Sequence, residues 1–540
     1  MGALAWAAAI YVLQLDVRIG PSRQPITVKW VAETSAVARR TAETALGLRD
    51  GEEREPGVWV YHVEDHSREA VRRIVTDSLV EDTSHINREA FQILIDAPRV
   101  PRLLRRALEA DFGLAMSLGS ALLGFAVFWF ARRELLLSIR VVRAFPQLEL
   151  AVAASLLIIG FAFFYDNGQE VDENVHYDQI VRLANGHWSL NPALTTLPGF
   201  HAVVAALVWG IGGPTQFSVR LAVFGLSLAT VGVFYALAGT LQPEHAGTRT
   251  LQFTLLPILF PQFFLIYTDV TSLLFVLLMM LAAAHRKYWA AGALGLLSCL
   301  VRQDNAIWVA FVALWSYVRD HGWTWRPLRD SLSRYWTFIA TGVGLPLLVA
   351  ANGGEVALGE DVGSHPLRSL YFTNIFFLMF LSCFFFVPLW WGYRREILAV
   401  MRRWWPWLWL IALFPVFWLG FVNDHPHNTE RGDYFLRNAI LIYFSSTPIR
   451  KLLFFMPVAI AALCLAAVPM KRPWRLLYPF TILFLLPEWL VEQRYYLIPL
   501  SVFMLARDQT SPQSERLQTI LFFIGSAGLF LMVERGWAWM

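Results

Sequence analysis

Charged residues, lysine and cysteine are all scarce in this 540-residue chain. Only 16% of the residues are charged, against about 25% in soluble proteins, so the polar surface is too small to coat a water-soluble particle. The three cysteines all lie within apolar stretches, which excludes a disulfide framework. The motifs G-x-S-x-G, G-x-x-x-x-G-K-[ST] and H-E-x-x-H are absent, which removes the usual support for hydrolases, ATP-driven pumps and zinc proteases.

Apolar and aromatic residues fill most of the chain instead. Hydrophobic residues make up 56% of it, with 40 Phe, 23 Trp and a mean hydropathy of +0.47. Apolar stretches of about 18 residues recur, and each is long enough to cross a bilayer. These features predict an all-α polytopic membrane protein. The net charge of +4 arises from basic residues between the apolar segments, so it indicates topology and gives no sign of nucleic-acid binding.

The charge pattern predicts which connectors lie on which side of the membrane. Five basic connectors are assigned to the cytoplasm by the positive-inside rule: 132–143, 285–287, 319–334, 394–403 and 471–475. Six connectors rich in acids, His, Asn and Gly are then extracytoplasmic: 166–199, 267–269, 302–305, 352–366, 423–437 and 488–494. About 14 or 15 helices satisfy both sets. From residue 148 onwards they are predicted at 148–165, 218–240, 250–267, 270–285, 288–301, 304–318, 335–351, 369–391, 403–421, 452–469, 474–488, 495–507 and 518–535.

Three regions follow from this pattern. Residues 1–15 are predicted to form a transmembrane or signal-anchor segment, with a cleaved signal peptide as the alternative. Residues 16–111 are predicted to form a small extracytoplasmic α/β domain, with β-like 26–31 and 58–63 and helix-like 32–46 and 67–79. Residues 112–540 are predicted to form the multi-spanning region. Before residue 148, crossings are expected at 1–15 and at 114–131. The short apolar stretch 200–211 is interpreted as re-entrant or interfacial.

The loop after the third predicted crossing carries the richest chemistry. Asp172 and Glu173 follow the end of an apolar segment closely, where a carboxylate could meet a lipid-linked substrate at the membrane surface. Transfer of a sugar from a polyprenyl phosphate needs a base for the acceptor hydroxyl and cations for the departing phosphate. Asp172 suits the first role, and Arg302 or Arg494 the second. The alternative is a solvated acidic loop that only enforces topology.

Four further polar groups lie on the same predicted face. Asp269 could be a helix N-cap or a site residue, and Arg302 could snorkel to the interface. His425, His427 and Glu430 could hold a divalent cation, although their spacing fits no standard zinc pattern. Glu492 and Arg494 could form a local ion pair. Six polar loops on one face together predict an active site there. A secondary transporter or lipid flippase is the rival, although a transporter is expected to place polar groups and broken helices at mid-membrane and these clusters lie at segment ends.

The ordered motifs resemble the dolichyl-phosphate-glucose-dependent α-1,2-glucosyltransferases, which belong to the GT-C glycosyltransferases. The resemblance rests on Asp172-Glu173, His176, Gly186, Asn191-Pro192 and 195–199, then Phe260-Pro261, Tyr267-Thr268-Asp269 and Ser272, then Val301-Arg302-Gln303, Asn305, Ile307 and Trp308, then 359–365, His425-Pro426, Glu492 and Arg494-Tyr495. It implies a GT-C-like fold over 112–540 and an inverting transfer of glucose from a polyprenyl phosphate.

The resemblance also implies roles for individual residues. Asp172 is implied as the catalytic carboxylate. Substrate-binding roles are implied for Glu173, His176, Asp269, Arg302, Gln303, Asn305, His365, His425, Glu492, Arg494 and Tyr495. No metal ligand or certain cofactor is implied, and a divalent cation stays open. Leu190 and Asn191 replace the family's Trp-Asp, and Asp304 replaces its Thr, so acceptor recognition is left open.

The amino-acid composition indicates the type of source cell and, through it, the kind of acceptor. Only four lysines accompany 41 arginines, a bias typical of GC-rich bacterial genomes, and no Asn-x-Ser/Thr sequon is present. These features predict a bacterial plasma (inner) membrane, or the endoplasmic reticulum if the source is eukaryotic. The expected partners are a polyprenyl-phosphate sugar, membrane lipid and an acceptor that is a lipid-linked glycan or a wall polymer. A related transferase of mannose or arabinose to a wall polymer or protein is the alternative.

Overall fold

The computed structural model describes residues 26–30, 39–40, 42–44, 48–55, 58–63, 80–84, 148–169, 172–324, 332–352, 356, 358, 370–429 and 435–535. Contacts divide the chain into two compact units, of which the second contains residues 118–165 and 171–540. The crossings predicted at 1–15 and 114–131 lie outside the described residues, as do the helix-like run 67–79 and His365.

Four strands form an antiparallel sheet in the first unit. They are β1 (Ile26–Trp30), β2 (Leu48–Glu55), β3 (Val58–Val63) and β4 (Val80–Ser84), in the spatial order β2-β3-β1-β4. Strand β1 pairs with β3 through Thr27 opposite Val60 and with β4 through Thr27 opposite Ser84. The two β-like segments of the sequence therefore lie in strands. That residues 16–111 are a separate extracytoplasmic domain stays a prediction.

The described residues of the second unit form helices that are joined by turns and loops. Its α-helices in chain order are α1 (Leu148–Phe164), α2 (Glu173–Ala184), α3 (Gly199–Gly210), α4 (Gln216–Leu241), α5 (Ala246–Thr254), α6 (Thr268–Ala284), α7 (Tyr288–Val301), α8 (Ala306–His321), α9 (Trp336–Ala351), α10 (Thr373–Phe385), α11 (Val387–Gly392), α12 (Arg394–Met401), α13 (Trp405–Gly420), α14 (Pro426–Thr429), α15 (Leu436–Ser445), α16 (Pro448–Ala467), α17 (Leu477–Leu485), α18 (Leu497–Ala506) and α19 (Pro512–Glu534). Short 3₁₀ turns include Pro261–Phe263, Gln303–Asn305 and Gln493–Tyr496.

The long helices begin at ordinary capping sequences. Thr215 accepts a hydrogen bond from the backbone of Ser218 at the start of α4. Thr447 and Ser511 cap α16 and α19 in the same way, and each is followed by a proline at the first helical position. A hydroxyl cap and a proline both suit a helix start, because the first amides of a helix lack carbonyl partners.

The helices are apolar enough for a membrane protein, but many are short. Among the described residues, α4, α16 and α19 are long and apolar enough to cross a bilayer, and the pair α12 and α13, bent by 84°, adds a fourth if it counts as one span. Shorter apolar helices include α1, α3, α6, α7 and α10. An integral membrane protein is supported, while the finer count of 14 or 15 crossings stays a prediction.

Residues 250–267 correct one predicted crossing. Helix α5 ends at Thr254, and the chain continues through a 3₁₀ turn at Pro261–Phe263 instead of a continuous helix. Pro257 and Pro261 each lack the amide that a helix needs, so the predicted continuous helix is wrong. The segment is buried within the second unit, with Leu256 and Phe263 fully enclosed. Apolar sequence here reflects a protein core and not contact with lipid.

Candidate active site

Asp172 lies immediately before α2 and points into a cavity. Its side chain does not cap the helix, since no cap hydrogen bond is present at the helix start. One carboxylate oxygen, Oδ2, instead accepts a hydrogen bond from Nη2 of Arg494 at 3.2 Å. The other oxygen has no hydrogen bond among the described residues, and 49% of the side chain is exposed. Asp172 is therefore anchored on one side and open on the other.

The polar segments predicted on one face are joined by hydrogen bonds. Asp172 and Arg494 connect the first segment with the last. Nη1 of Arg302 donates to Asp269 at 2.8 Å and so links the second and third segments. The backbone amide of Val491 donates to Asn428 at 2.9 Å and links the fifth segment to the sixth.

Gln303 completes this set of connections. Its amide nitrogen donates to the carbonyl oxygens of Thr195 and Val356, each at 3.0 Å, and its amide oxygen accepts from the backbone of Leu197 at 3.3 Å. One side chain thereby holds the first, third and fourth segments together. Hydrogen bonds therefore connect residues from all six segments within the second unit.

A cavity lies where these segments meet. It encloses about 410 Å³, counting the part that is continuous with the surroundings. Its lining residues are Asp172, Gln262, Leu265, Tyr267, Phe435, Arg437, Glu492, Gln493, Arg494 and Val533. Two carboxylates, two guanidiniums and several apolar or aromatic side chains thus surround one space. Such a mixture suits a ligand with both a charged and an apolar part.

The charges in the cavity form a chain of ion pairs. Arg494 contacts Asp172 and Glu492, and Nη2 of Arg437 donates to the second oxygen of Glu492 at 2.9 Å. The protein around Asp172 disfavours its charged form, but the charge and the hydrogen bond of Arg494 outweigh this and lower the pKa of Asp172 below its usual value. Asp172 is consequently ionised at neutral pH. Burial opposes charge on Arg494, yet Glu492, Asp269 and Asp172 together raise its pKa.

Arg302 belongs to a separate ion-pair cluster beside the cavity. Nη1 pairs with Asp269 and Nη2 pairs with Asp304, both at 2.8 Å. Its guanidinium also lies 5.5 Å from the ring centre of the buried Tyr495. Two carboxylates already neutralise Arg302, and it does not line the cavity. Of the two arginines that the sequence suggests for binding the phosphate, Arg494 is the one that lines the cavity.

Several predicted site residues have buried structural contacts instead. Glu173 is fully buried, accepts the backbone amide of Ile266 at 2.8 Å and pairs with Arg220 at 3.3 Å. Asn305 exchanges hydrogen bonds with Ser272. Neither Glu173 nor Asn305 lines the cavity. Both fix the positions of the segments that do.

The histidines lie in two places. His176 is buried one helical turn after Asp172, and its Nδ1 lies 3.0 Å from Nε2 of His201. His425 is buried against the ring of Trp489, at 4.6 Å between ring centres, and its Nδ1 accepts the amide of His427 at 3.1 Å. Within the described ranges, no group of three or more His, Cys, Asp or Glu residues comes together as a metal site would require.

Arg437 and Tyr267 line the cavity but are not among the site residues that the resemblance implies. Arg437 is the last residue of a segment predicted to be extracytoplasmic, where basic residues are scarce by the positive-inside rule. An arginine in such a place is a usable signal of function. Tyr267 lies two residues before Asp269 in the same motif, with its ring 5.3 Å from the Arg494 guanidinium.

Comparisons with known proteins agree with the resemblance. The profile of the DIE2/ALG10 family matches residues 167–326, which include Asp172, Asp269 and Arg302. A human protein named Dol-P-Glc:Glc(2)Man(9)GlcNAc(2)-PP-Dol alpha-1,2-glucosyltransferase is 25% identical over 272 residues, covering 40% of this chain and 57% of that protein. A second human protein of that name is 24% identical over 418 residues, or 64% and 85% of the two chains.

The plant relative gives the broadest of these matches. The Arabidopsis thaliana protein of the same name is 26% identical over 469 residues, covering 66% of this chain and 90% of its own. No solved structure matches. This chain spans 57% of the length of the first human relative, so over two fifths of that protein has no counterpart in the match. The predicted resemblance is confirmed: the chain is similar in sequence to the DIE2/ALG10 family and to proteins named as α-1,2-glucosyltransferases.

Proposed function

We propose that the chain is an inverting glycosyltransferase that moves glucose from a polyprenyl phosphate to a hydroxyl group of an extracytoplasmic acceptor. The observation that carries the proposal is that the half-exposed, ionised Asp172 lines one cavity together with Arg494, with which it pairs, and with Arg437. The relatives' names specify a dolichyl-phosphate-glucose donor and a lipid-linked oligosaccharide acceptor for those proteins. The α-1,2 linkage is proposed for this chain on the same similarity.

The chemistry needs one base and one anion-binding group. Asp172 takes the proton of the acceptor hydroxyl while the hydroxyl oxygen forms a bond to the anomeric carbon of the donor. The bond from that carbon to the phosphate oxygen breaks, and its electron pair leaves with the phosphate. Attack on the face opposite the leaving group inverts the anomeric configuration, so a β-linked donor gives an α-linked product.

Arg494 and Arg437 are proposed as the phosphate-binding pair. Both line the cavity, and a guanidinium can bind two phosphate oxygens at once. Stabilising charge on the departing group is usually the largest contribution to such a reaction. The apolar lining of Leu265, Phe435 and Val533 suits the first part of a polyprenyl chain. Asp269, Arg302, Gln303, Asn305 and Glu173 are proposed to hold this arrangement, and His365 and His425 remain proposed contacts to the donor or the acceptor.

The membrane and the acceptor are proposed more broadly. The arginine bias favours a bacterial plasma membrane with the active site outside, and a bacterial acceptor could be a lipid-linked glycan or a wall polymer. The region 16–111 is proposed to be extracytoplasmic. Fusion reporters and a source-cell lipid extract are the means to test both points.

The test is transfer of labelled sugar by purified protein in lipid. Polyprenyl-phosphate glucose, polyprenyl-phosphate mannose and a nucleotide sugar are compared as donors, with a lipid extract of the source cells as acceptor. We expect transfer from the glucose donor alone, and transfer from the mannose donor alone would correct the sugar. Consumption of no donor, together with movement of a labelled polyprenyl lipid across the bilayer, would support the transporter instead.

Asp172→Asn tests the assignment of the base. We expect a loss of turnover of at least about 100-fold, because general-base catalysis contributes roughly that much or more. Asp178→Asn is the matched control, since Asp178 lies on the same helix, pairs with the exposed Arg182 and is not part of the cavity lining. Near-normal turnover in Asp172→Asn, with Asp178→Asn also active, would exclude Asp172 as the base.

A further inference from the structure

Two buried histidines lie directly behind the proposed base. His176 follows Asp172 by four residues, and the backbone amide of His176 donates to the carbonyl of Asp172 at 3.2 Å, so the two side chains are neighbours across one helical turn. Nδ1 of His176 lies 3.0 Å from Nε2 of His201 in α3. His201 is fully buried and is not among the site residues that the resemblance implies.

One proton must lie between these two nitrogens. Two neutral imidazoles can share the contact in only two ways: either His201 donates from Nε2, or His176 donates from Nδ1. A neutral ring has one N–H, so the choice of donor fixes which nitrogen carries the hydrogen on each ring. If His176 donates, His201 must carry its proton on Nδ1; if His201 donates, His176 must carry its proton on Nε2.

The surroundings of His201 favour the first arrangement. Its Nδ1 is buried and has no hydrogen-bond partner within the described part of the chain. The ring lies in the apolar cluster around α3, 5.1 Å from the ring centre of Phe200. A buried N–H without an acceptor is rarer and more costly than a buried acceptor without a donor. His201 is therefore expected to leave Nδ1 bare and to hold its proton on Nε2.

His176 is a neutral ring as well. Burial lowers the pKa of His176 to about 4, although the charge of Asp172 opposes this shift, so the ring is neutral at pH 7. A neutral ring carries one N–H, so when His201 donates to Nδ1 of His176, the proton of His176 lies on Nε2.

We propose that His201 donates its Nε2–H to Nδ1 of His176 and thereby fixes His176 as the tautomer with its proton on Nε2. His201 is then a positioning residue, and its effect on catalysis rests on the function proposed above. In this tautomer, the nitrogen of His176 that is not bonded to His201 already carries a proton. It can donate a hydrogen bond within the site, but it cannot take a proton from the acceptor. Asp172 is left as the base.

The direct test is nitrogen NMR of the two rings. Protein labelled with ¹⁵N-histidine is reconstituted in lipid, and protonated and bare ring nitrogens are distinguished by their chemical shifts. Spectra of His176→Gln and His201→Gln identify the signals of each ring among the twelve histidines. We expect a protonated Nε2 and a bare Nδ1 on both rings. A protonated Nδ1 on His176 would overturn the proposal, whether or not the protein transfers sugar.

Activity of two His201 variants tests the positioning role. Gln keeps a donor nitrogen at the place of Nε2, whereas Leu fills the space without a donor. We expect His201→Leu to lower kcat by about 10-fold or more with little change in KM, as for supporting groups around other sites, and His201→Gln to restore most of it. Equal losses in both variants, with the wild-type tautomer unchanged, would reject the positioning role. Absence of transfer in the wild type would reject the proposed function and leave the NMR result to decide the tautomer.

Discussion

At the scale of single residues, the two carboxylates of the cavity differ in how completely they are paired. Glu492 is shared by Arg494 and Arg437, whereas Asp172 contacts Arg494 through one oxygen and has the other open to the cavity. A fully paired carboxylate is a poor proton acceptor, because its lone pairs are already used. This difference supports the proposal that Asp172, and not Glu492, is the base.

Arg437→Gln should weaken use of the donor. We expect a fall in kcat/KM for polyprenyl-phosphate glucose of about 10- to 100-fold, because a charged hydrogen bond contributes roughly 1.5–3 kcal/mol. Glu492 stays paired with Arg494 in this variant, so no unpaired buried carboxylate results. Arg182→Gln, at an exposed pair, is the control. Unchanged kinetics in Arg437→Gln would remove Arg437 from the phosphate site.

Glu488 should make stability depend on pH. Burial, followed by the charge of Asp304, raises the pKa of Glu488 to about 7. The folded protein therefore binds a proton there that the unfolded chain releases above its ordinary pKa, so stability falls as the pH rises from about 4.5 towards 7. Gln resembles the protonated side chain. Glu488→Gln should melt a few degrees higher than wild type at pH 8 and equally at pH 4.

Thermal unfolding in lipid or detergent, followed by intrinsic fluorescence, measures this difference. Glu396→Gln on the exposed helix α12 controls for a general effect of losing one acid. A melting difference that does not change between pH 4 and pH 8 would contradict the assignment to Glu488.

At the scale of the elements, close approach of α3 to the end of α7 positions the loop that Gln303 holds. Gly199 is the first residue of α3, and a Cβ atom there would lie 2.6 Å from the carbonyl carbon of Leu300. No side chain fits without displacing backbone. Leu197 and Thr195, which bond to Gln303, lie just before this glycine.

Gly199→Ala should therefore destabilise the protein and loosen the site. We expect a loss of about 1–3 kcal/mol, the usual cost of overpacking, and reduced transfer because the first and third polar segments are pushed apart. Gly210→Ala, at the other end of the same helix, has open space around its Cβ and should be neutral or gain up to about 1 kcal/mol. Denaturation of the two variants side by side measures the contrast, and equal stability would contradict it.

Most helices from residue 148 onwards could be predicted from apolar stretches between charged connectors. The predicted segments 148–165, 270–285 and 288–301 differ from α1, α6 and α7 by two residues or fewer at each end. The crossing predicted at 250–267 was wrong because apolar composition does not distinguish a protein core from a surface in contact with lipid. The prolines inside that segment were the local sign that the helix would stop.

At the scale of the whole molecule, the described residues of the second unit bring polar segments that are distant in sequence into contact. Asp172 and Arg494 are separated by 322 positions in the chain, yet their side chains form an ion pair. Alternation of the helices across the membrane can produce this, because every second connector returns to the same side. The basic connectors then share the opposite side.

Reporter fusions test this arrangement. A reporter that is active only outside the cytoplasm should be active after Asn423 and inactive after Arg395, and a cytoplasmic reporter should give the reverse. Helix α13 lies between the two positions and corresponds to the crossing predicted at 403–421. A cytoplasmic position for Asn423 would contradict the convergence of the six segments on one extracytoplasmic face.

The sequence by itself determined that the chain enters a membrane, which connectors share a face and which loop carries the acidic pair, because composition and charge distribution act locally. The resemblance it carried, now matched by the DIE2/ALG10 profile over residues 167–326, was also a property of the sequence alone. Only the tertiary structure decided which polar residues open onto the cavity. Arg302 and Arg494 look alike in sequence and each pairs with two carboxylates, but only Arg494 of the two lines the cavity, where it contacts Asp172. Pairing between residues hundreds of positions apart depends on how the helices pack, and no local pattern encodes it.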